Sequence, residues 1–166
     1  MTQQTRKRIV ELVLQAAALA RSIEIPNLLQ PGLVKEMILA DILGHDLVAS
    51  KRSADACDPL DPTILYEYLS CIEGGKGQFD RMFKTPPPKR AESLDRIRRN
   101  RKIYLAVFYK QEQTRVKVIY ELLPESVAAE ADRQLDRSRN AISHIGFSET
   151  WAKGNGTVIF HDNRES

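Results

Sequence analysis

Apolar and polar residues follow two periods along this chain, one helical and one extended. From Ile9 to Ala20 the only polar interruptions are Glu11 and Gln15, and residues 5–22 read as an N-terminal helix. Pro26 discourages helix at Glu24 and Ile25, so residues 25–30 read as a connector. Pro31 suits a first helical position, and a second helix is expected to run from there to Leu43, with Gly44 as its C-cap. Glu36 falls on the apolar stripe of that helix. Its neighbours three, four and seven positions away are Leu33, Leu39, Ala40 and Leu43.

The extended period begins further on. Residues 63–71 (TILYEYLSC) are rich in aromatic and β-branched side chains and read as a strand. The run Asp58-Pro59-Leu60-Asp61-Pro62 has the composition of a turn. Residues 51–58 then form the other arm of a hairpin. Residues 73–88, which open on EGGKG and end on three prolines, read as a loop, and residues 89–101 as a basic helix. Ile103 to Tyr109 is a continuous apolar run, expected as a central strand covered on both faces. In residues 115–122 Val116, Val118, Tyr120 and Leu122 alternate with polar groups, the pattern of a half-exposed strand. A helix over 124–139 follows, then short strands at 142–147 and 157–160 that form a C-terminal hairpin, with Trp151 as its anchor. The expected fold is a single α/β or α+β domain over residues 1–166, a mixed central sheet flanked by helices. Its parts are the N-terminal helix at 5–22, a core at 31–122 and a C-terminal helix and hairpin at 124–160.

Length and composition agree with one soluble globular domain: 166 residues, 42% apolar and 28% charged. No apolar run reaches the roughly 18 residues that span a bilayer, so no membrane role is expected. Cys57 and Cys71 make no disulfide framework, and a reducing, cytoplasmic setting is the expectation. The net charge of +3 hides an asymmetry, because the segment from Arg81 to Lys102 carries +7 and the remainder −4. So concentrated a block is the electrostatic footprint of a polyanion partner, against the plainer reading of a solvated basic helix. Arg90, Arg96, Arg98, Arg99, Arg101 and Lys102 are the candidate phosphate contacts, with a nucleic acid as the expected partner.

Two carboxylates stand where apolar groups belong. Glu67 shares its strand face with Leu65, Leu69 and Cys71, and Glu36 shares its helix stripe with leucines. A buried carboxylate costs several kcal/mol unless a proton, a cation or hydrogen bonds compensate it. With Asp55, Asp58 and Asp61 just upstream of the strand, the pattern suggests an acidic pocket for a cation. If the turn centres near Leu60 or Asp61, the residue opposite Glu67 lies between Ser53 and Asp55. Asp55 is therefore the first-ranked partner, Asp58 the second and Asp61 the third, the last two also being natural turn caps.

The runs Ala54-Asp55-Ala56 and Tyr66-Glu67-Tyr68-Leu69-Ser70 resemble the PD-(D/E)xK nuclease superfamily, which includes type II restriction endonucleases and Holliday-junction resolvases. The resemblance spans about residues 31–122. It implies a restriction-endonuclease-like core and Mg²⁺ held by Asp55 and Glu67, with Asp58 as a further metal candidate and Glu36 as the glutamate of a preceding helix. It implies metal-dependent hydrolysis of phosphodiester bonds in duplex DNA, and a homodimer to supply one site per strand. One position departs from the pattern, because the family's lysine would fall on Leu69. A bulge at Ser70, a metal-facing Glu73, or Lys76 or Lys110 reaching in could take its place, and Lys76 is the catalytic candidate among them. Otherwise the domain binds DNA, or assembles with partners, without cutting. No serine sits in a nucleophile-elbow motif, Gly74-Gly75-Lys76-Gly77 lacks Walker A spacing, and His45, His144 and His161 are scattered.

Overall fold

The structure, a computed structural model, describes residues 2–48 and 54–163. The chain order is α1 (Gln3–Ser22), α2 (Leu33–Leu43), β1 (Asp46–Leu47), β2 (Ala56–Cys57), β3 (Leu65–Ile72), β4 (Lys76–Phe83), α3 (Pro87–Arg98), β5 (Lys102–Phe108), β6 (Val116–Leu122), α4 (Pro124–Arg137), β7 (Ile142–Ser148), α5 (Glu149–Asn155) and β8 (Gly156–His161). Part of the strand expected at 51–58, residues 51–53, lies outside the described residues. Six strands form one mixed sheet in the order β1-β2-β3-β5-β6-β8, while β4 and β7 pair as a separate antiparallel ribbon. The sheet is antiparallel except for β3 and β5, which run parallel from Tyr66 beside Lys102 to Ile72 beside Phe108. The mixed α/β architecture expected from the sequence is the one observed. Among the described residues no helix is long and apolar enough to cross a membrane.

Strand alternation divides the core into two layers. Leu69, Cys71, Ile103, Leu105, Val107, Val118, Tyr120 and Leu122 face one side, where β4, β7, α3, α4 and α5 supply Phe79, Ile97, Leu135, Phe147 and Ala152. Tyr66, Tyr68, Tyr104, Ala106, Phe108 and Ile119 face the other, where α2 supplies Leu39 and Ala40. Helix α2 ends at Gly44 with φ +67°, the left-handed cap its sequence predicts. Helix α1 buries only Ala20 and leaves Ile9, Val10, Leu12, Leu14 and Leu19 exposed.

Three expectations need correction. Residues 73–88 are not a loop. After a turn at Gly74, with φ +79°, the chain forms β4, in which Gly77 and Phe79 point inward and Lys76, Gln78 and Asp80 outward. A glycine at an inward position hid the alternation. The C-terminal hairpin is absent, because β7 pairs with β4 and β8 with β6. Helix α5 separates them and packs Trp151 edge-on against Phe147, at 4.9 Å between ring centroids. Strand β6 is not half-exposed either. It lies between β5 and β8, and Ile119 on its second face is fully buried.

Candidate active site and nucleic-acid interface

The β2–β3 turn is built by its aspartates. Asp58 Oδ1 accepts from the Leu60 and Asp61 amides at 2.8 and 3.2 Å, and Asp61 Oδ1 accepts from the Thr63 amide and hydroxyl at 3.0 and 2.6 Å. These bonds centre the turn and fix the register, Ala56 opposite Tyr66 and Cys57 opposite Leu65. One further residue along this register puts Asp55 opposite Glu67, where cross-strand side chains lie within about 5.5 Å at Cβ. Strand β2 has ended by then, and the Asp55 carboxylate takes over the ladder by accepting from the Tyr68 amide at 2.8 Å.

Glu67 is on the face of β3 that carries Leu69 and Cys71. Its Oε2 is buried and has no hydrogen-bond partner. Burial first, then the Asp55 carboxylate and more weakly Glu36, push its pKa from 4.5 up to about 8, against the opposing pull of Arg96 and Arg99. Burial also raises Asp55, while the Tyr68 amide and the same two arginines lower it. Glu67 thus feels the Asp55 and Glu36 carboxylates, and the charges of Arg96 and Arg99 at the end of α3 act on both Asp55 and Glu67. Asp55 and Glu36 border a cleft of about 1090 Å³ between α2, the segment before it and β1. Glu67 is not part of the cleft wall.

Other sequence candidates fall elsewhere. Asp58 is spent on the turn, and its Oδ2 lies 3.4 Å from the Tyr66 hydroxyl, on the opposite sheet face from Glu67. Asp61 is held within the turn. Lys76 is exposed and opposite Ser148. It lies four residues before Asp80, the residue that touches Arg96, which is about 13 Å along a strand. The β3–β5 register is continuous, so no bulge turns Ser70 toward Glu67. Glu73 accepts from Lys117 Nζ at 2.8 Å and from the Lys110 amide at 3.1 Å, six residues beyond Glu67 and about 20 Å along the strand.

Leu69 has a packing reason. It is 2% exposed, and β4 crosses above it at Gly77, where an added Cβ would come within 2.7 Å of Leu69 Cβ and Leu105 Cδ1. A lysine at that position would be sealed under a neighbouring strand.

Much of the basic block is engaged within the fold. Arg90 binds Asp132 and Asp136 of α4 at 2.6 and 2.7 Å. Arg98 reaches Glu125 at 3.3 Å, and Lys102 reaches Glu121 at 2.6 Å. Ser93, Leu94 and Ile97 turn α3 into the core. Arg99 and Arg101 are exposed just past the helix. Sequence reasoning did not foresee Asp80, whose carbonyl holds Arg96 at 2.8 Å and whose carboxylate meets His144 Nδ1 at 2.7 Å. Asp80 sits in a stretch that carries no strand signal. Among the described residues no three His, Cys, Asp or Glu side chains converge closely enough to hold a metal ion by themselves. Asp55 and Glu67 are a pair, and Mg²⁺ is commonly bound through one or two carboxylates, with water and substrate phosphate completing its shell. No known family model matches the chain, and no characterised protein is similar to it in sequence.

Proposed function

We propose that this chain is a metal-dependent nuclease of the PD-(D/E)xK kind, hydrolysing phosphodiester bonds in duplex DNA. The observation that supports it is the buried Glu67 oxygen with no partner in the protein, at the position that the β2–β3 register, extended by one residue, sets against Asp55. A buried carboxylate with an unused oxygen is costly in a purely structural role and suits a cation. Asp55 and Glu67 would hold Mg²⁺, with Glu36 beside them. The ion would supply polarisation of the phosphate and a nucleophilic hydroxide near neutral pH. The chain's own groups do the rest. The Tyr68 amide fixes Asp55, Glu67 would hold a cation in its ionised form, and Arg99 and Arg101 hold the phosphodiester backbone. Cutting both strands takes two such sites, so the proposal includes a homodimer.

Incubation with supercoiled plasmid tests this. Nicked or linear product with Mg²⁺, and none with EDTA, is the expected result, and intact plasmid in both would refute it. A second reading, a DNA-binding or assembly subunit that does not cut, is favoured by Leu69 in place of the lysine, and it predicts binding with no product. Both readings predict that Arg99→Gln with Arg101→Gln weakens duplex binding similarly for all sequences, since phosphates carry no sequence code. The salt slope of log K should fall by about 2, near 0.9 per lost contact. Affinities at several salt concentrations, on several duplexes, check this. An unchanged slope would remove these two arginines from the interface.

A further inference from the structure

We infer that Arg96, held on α3 against β4 where that strand covers β3, is the cation that contacts the scissile phosphate in place of a strand lysine. This rests on the nuclease reading above. The position two residues after Glu67 is closed, since Leu69 is covered by β4 at Gly77. A cation must therefore come from another element, and α3 provides one.

The Arg96 guanidinium is fixed from one side only. Its Nη2 donates to the Asp80 carbonyl at 2.8 Å and lies 3.3 Å from Met82 Sδ, and the group sits over the Phe79 ring at 5.5 Å from the centroid. All of these contacts come from β4. Its Nε is buried and, like Glu67 Oε2, has no partner. Neither Asp55 nor Glu67 forms an ion pair with it, although its charge lowers the pKa of both. Elsewhere on the basic segment, Arg90, Arg98 and Lys102 each have a carboxylate partner. A half-buried guanidinium held by a neutral carbonyl and an aromatic face keeps its charge available for an anion.

The backbone supports this placement. The β4–β7 ladder slips between Phe79 and Met82, and Arg81 within the slip has φ +54°. That conformation is costly for a side-chain-bearing residue, and such strain collects at functional sites. The slip aims the Asp80 carbonyl at Arg96. The Asp80 carboxylate, bonded to His144, braces the bulge from the other strand.

Arginine remains protonated throughout the working pH range, so Arg96 takes no proton. In the hydrolysis a water oxygen bonds to phosphorus while the bond to the leaving sugar oxygen breaks. One water proton passes to bulk solvent and the leaving oxygen takes one from it. Arg96 donates hydrogen bonds to a non-bridging phosphate oxygen as charge builds there.

The test is single-turnover cleavage by Arg96→Gln, Arg96→Lys and Arg99→Gln, with duplex affinity measured alongside and thermal melting to establish folding. Losing a donor aimed at developing charge lowers rates by about 10²–10³-fold. Arg96→Gln should show a loss of that size, with affinity changed only a few-fold. Arg96→Lys should recover part of the rate. Arg99→Gln should instead weaken duplex affinity by more than Arg96→Gln does, which separates grip on the backbone from the chemical step. A folded Arg96→Gln variant that cuts at the wild-type rate would overturn the inference and leave the nuclease reading standing. A rate loss that only tracks the melting temperature, with no recovery by lysine, would also overturn it. Failure of the wild-type protein to cut would overturn both.

Discussion

Glu67→Gln is expected to make the metal-free protein more stable at pH 8 and to flatten its dependence of stability on pH. The folded-state pKa of Glu67 is raised from 4.5 to about 8. Between these values the folded protein keeps a proton that the unfolded chain has released. Stability therefore falls as pH rises through this window, by about 1.4 kcal/mol per pH unit for one such group. Glutamine is uncharged at every pH and removes this dependence. Asp55, whose pKa is also raised by burial, contributes a residual slope of the same sign, weakened once the Glu67 charge is gone. Denaturant unfolding of both proteins in EDTA, at several pH values from 5 to 8, reads the difference directly. Parallel curves would mean that Glu67 is ionised and compensated in the folded protein.

Gly77→Val is expected to destabilise the fold by about 3 kcal/mol or more, toward the upper end of the cost of overpacking. An added Cβ would stand 2.7 Å from Leu69 Cβ and 3.2 Å from the Leu69 carbonyl carbon, so backbone must move and not merely a flexible side-chain tip. Valine adds two methyl groups to that clash. Strand β4 would lift from β3, and with it the Phe79 ring and the Asp80 carbonyl that hold Arg96. Chemical denaturation measures the loss. Gly74→Ala serves as the control, since nothing lies within 4 Å of its added Cβ and only its left-handed φ is strained. A valine variant as stable as that control would contradict the close crossing.

Local chemistry carried most of what was readable in the sequence. Asp58 and Asp61 bond to amides within three residues, so the turn and the β2–β3 register followed from adjacent residues. The apolar run of β5 announced a central strand, and Gly44 announced the end of α2. What stayed hidden was set by contacts distant in sequence. Nothing near Leu69 signals that Gly77 passes over it, or that β4 pairs with β7 and not with β3. Arg90 and Arg98 looked like free charge because their partners, Asp132, Asp136 and Glu125, belong to a helix more than twenty residues away. Arg96 was legible as a basic residue, but its hold on the Asp80 carbonyl and the Phe79 ring depends on how α3 packs against β4.

In the proposed nuclease site Asp55 and Glu67 act as one catalytic unit, which a double-mutant comparison can test. Single-turnover cleavage in Mg²⁺ would be measured for the wild type, Asp55→Asn, Glu67→Gln and the double variant. Residues that act as a unit are strongly non-additive. Each single variant should fall to the same background rate, and the double variant should fall no further. Wild-type cleavage by Glu67→Gln, or losses that multiply in the double variant, would contradict it.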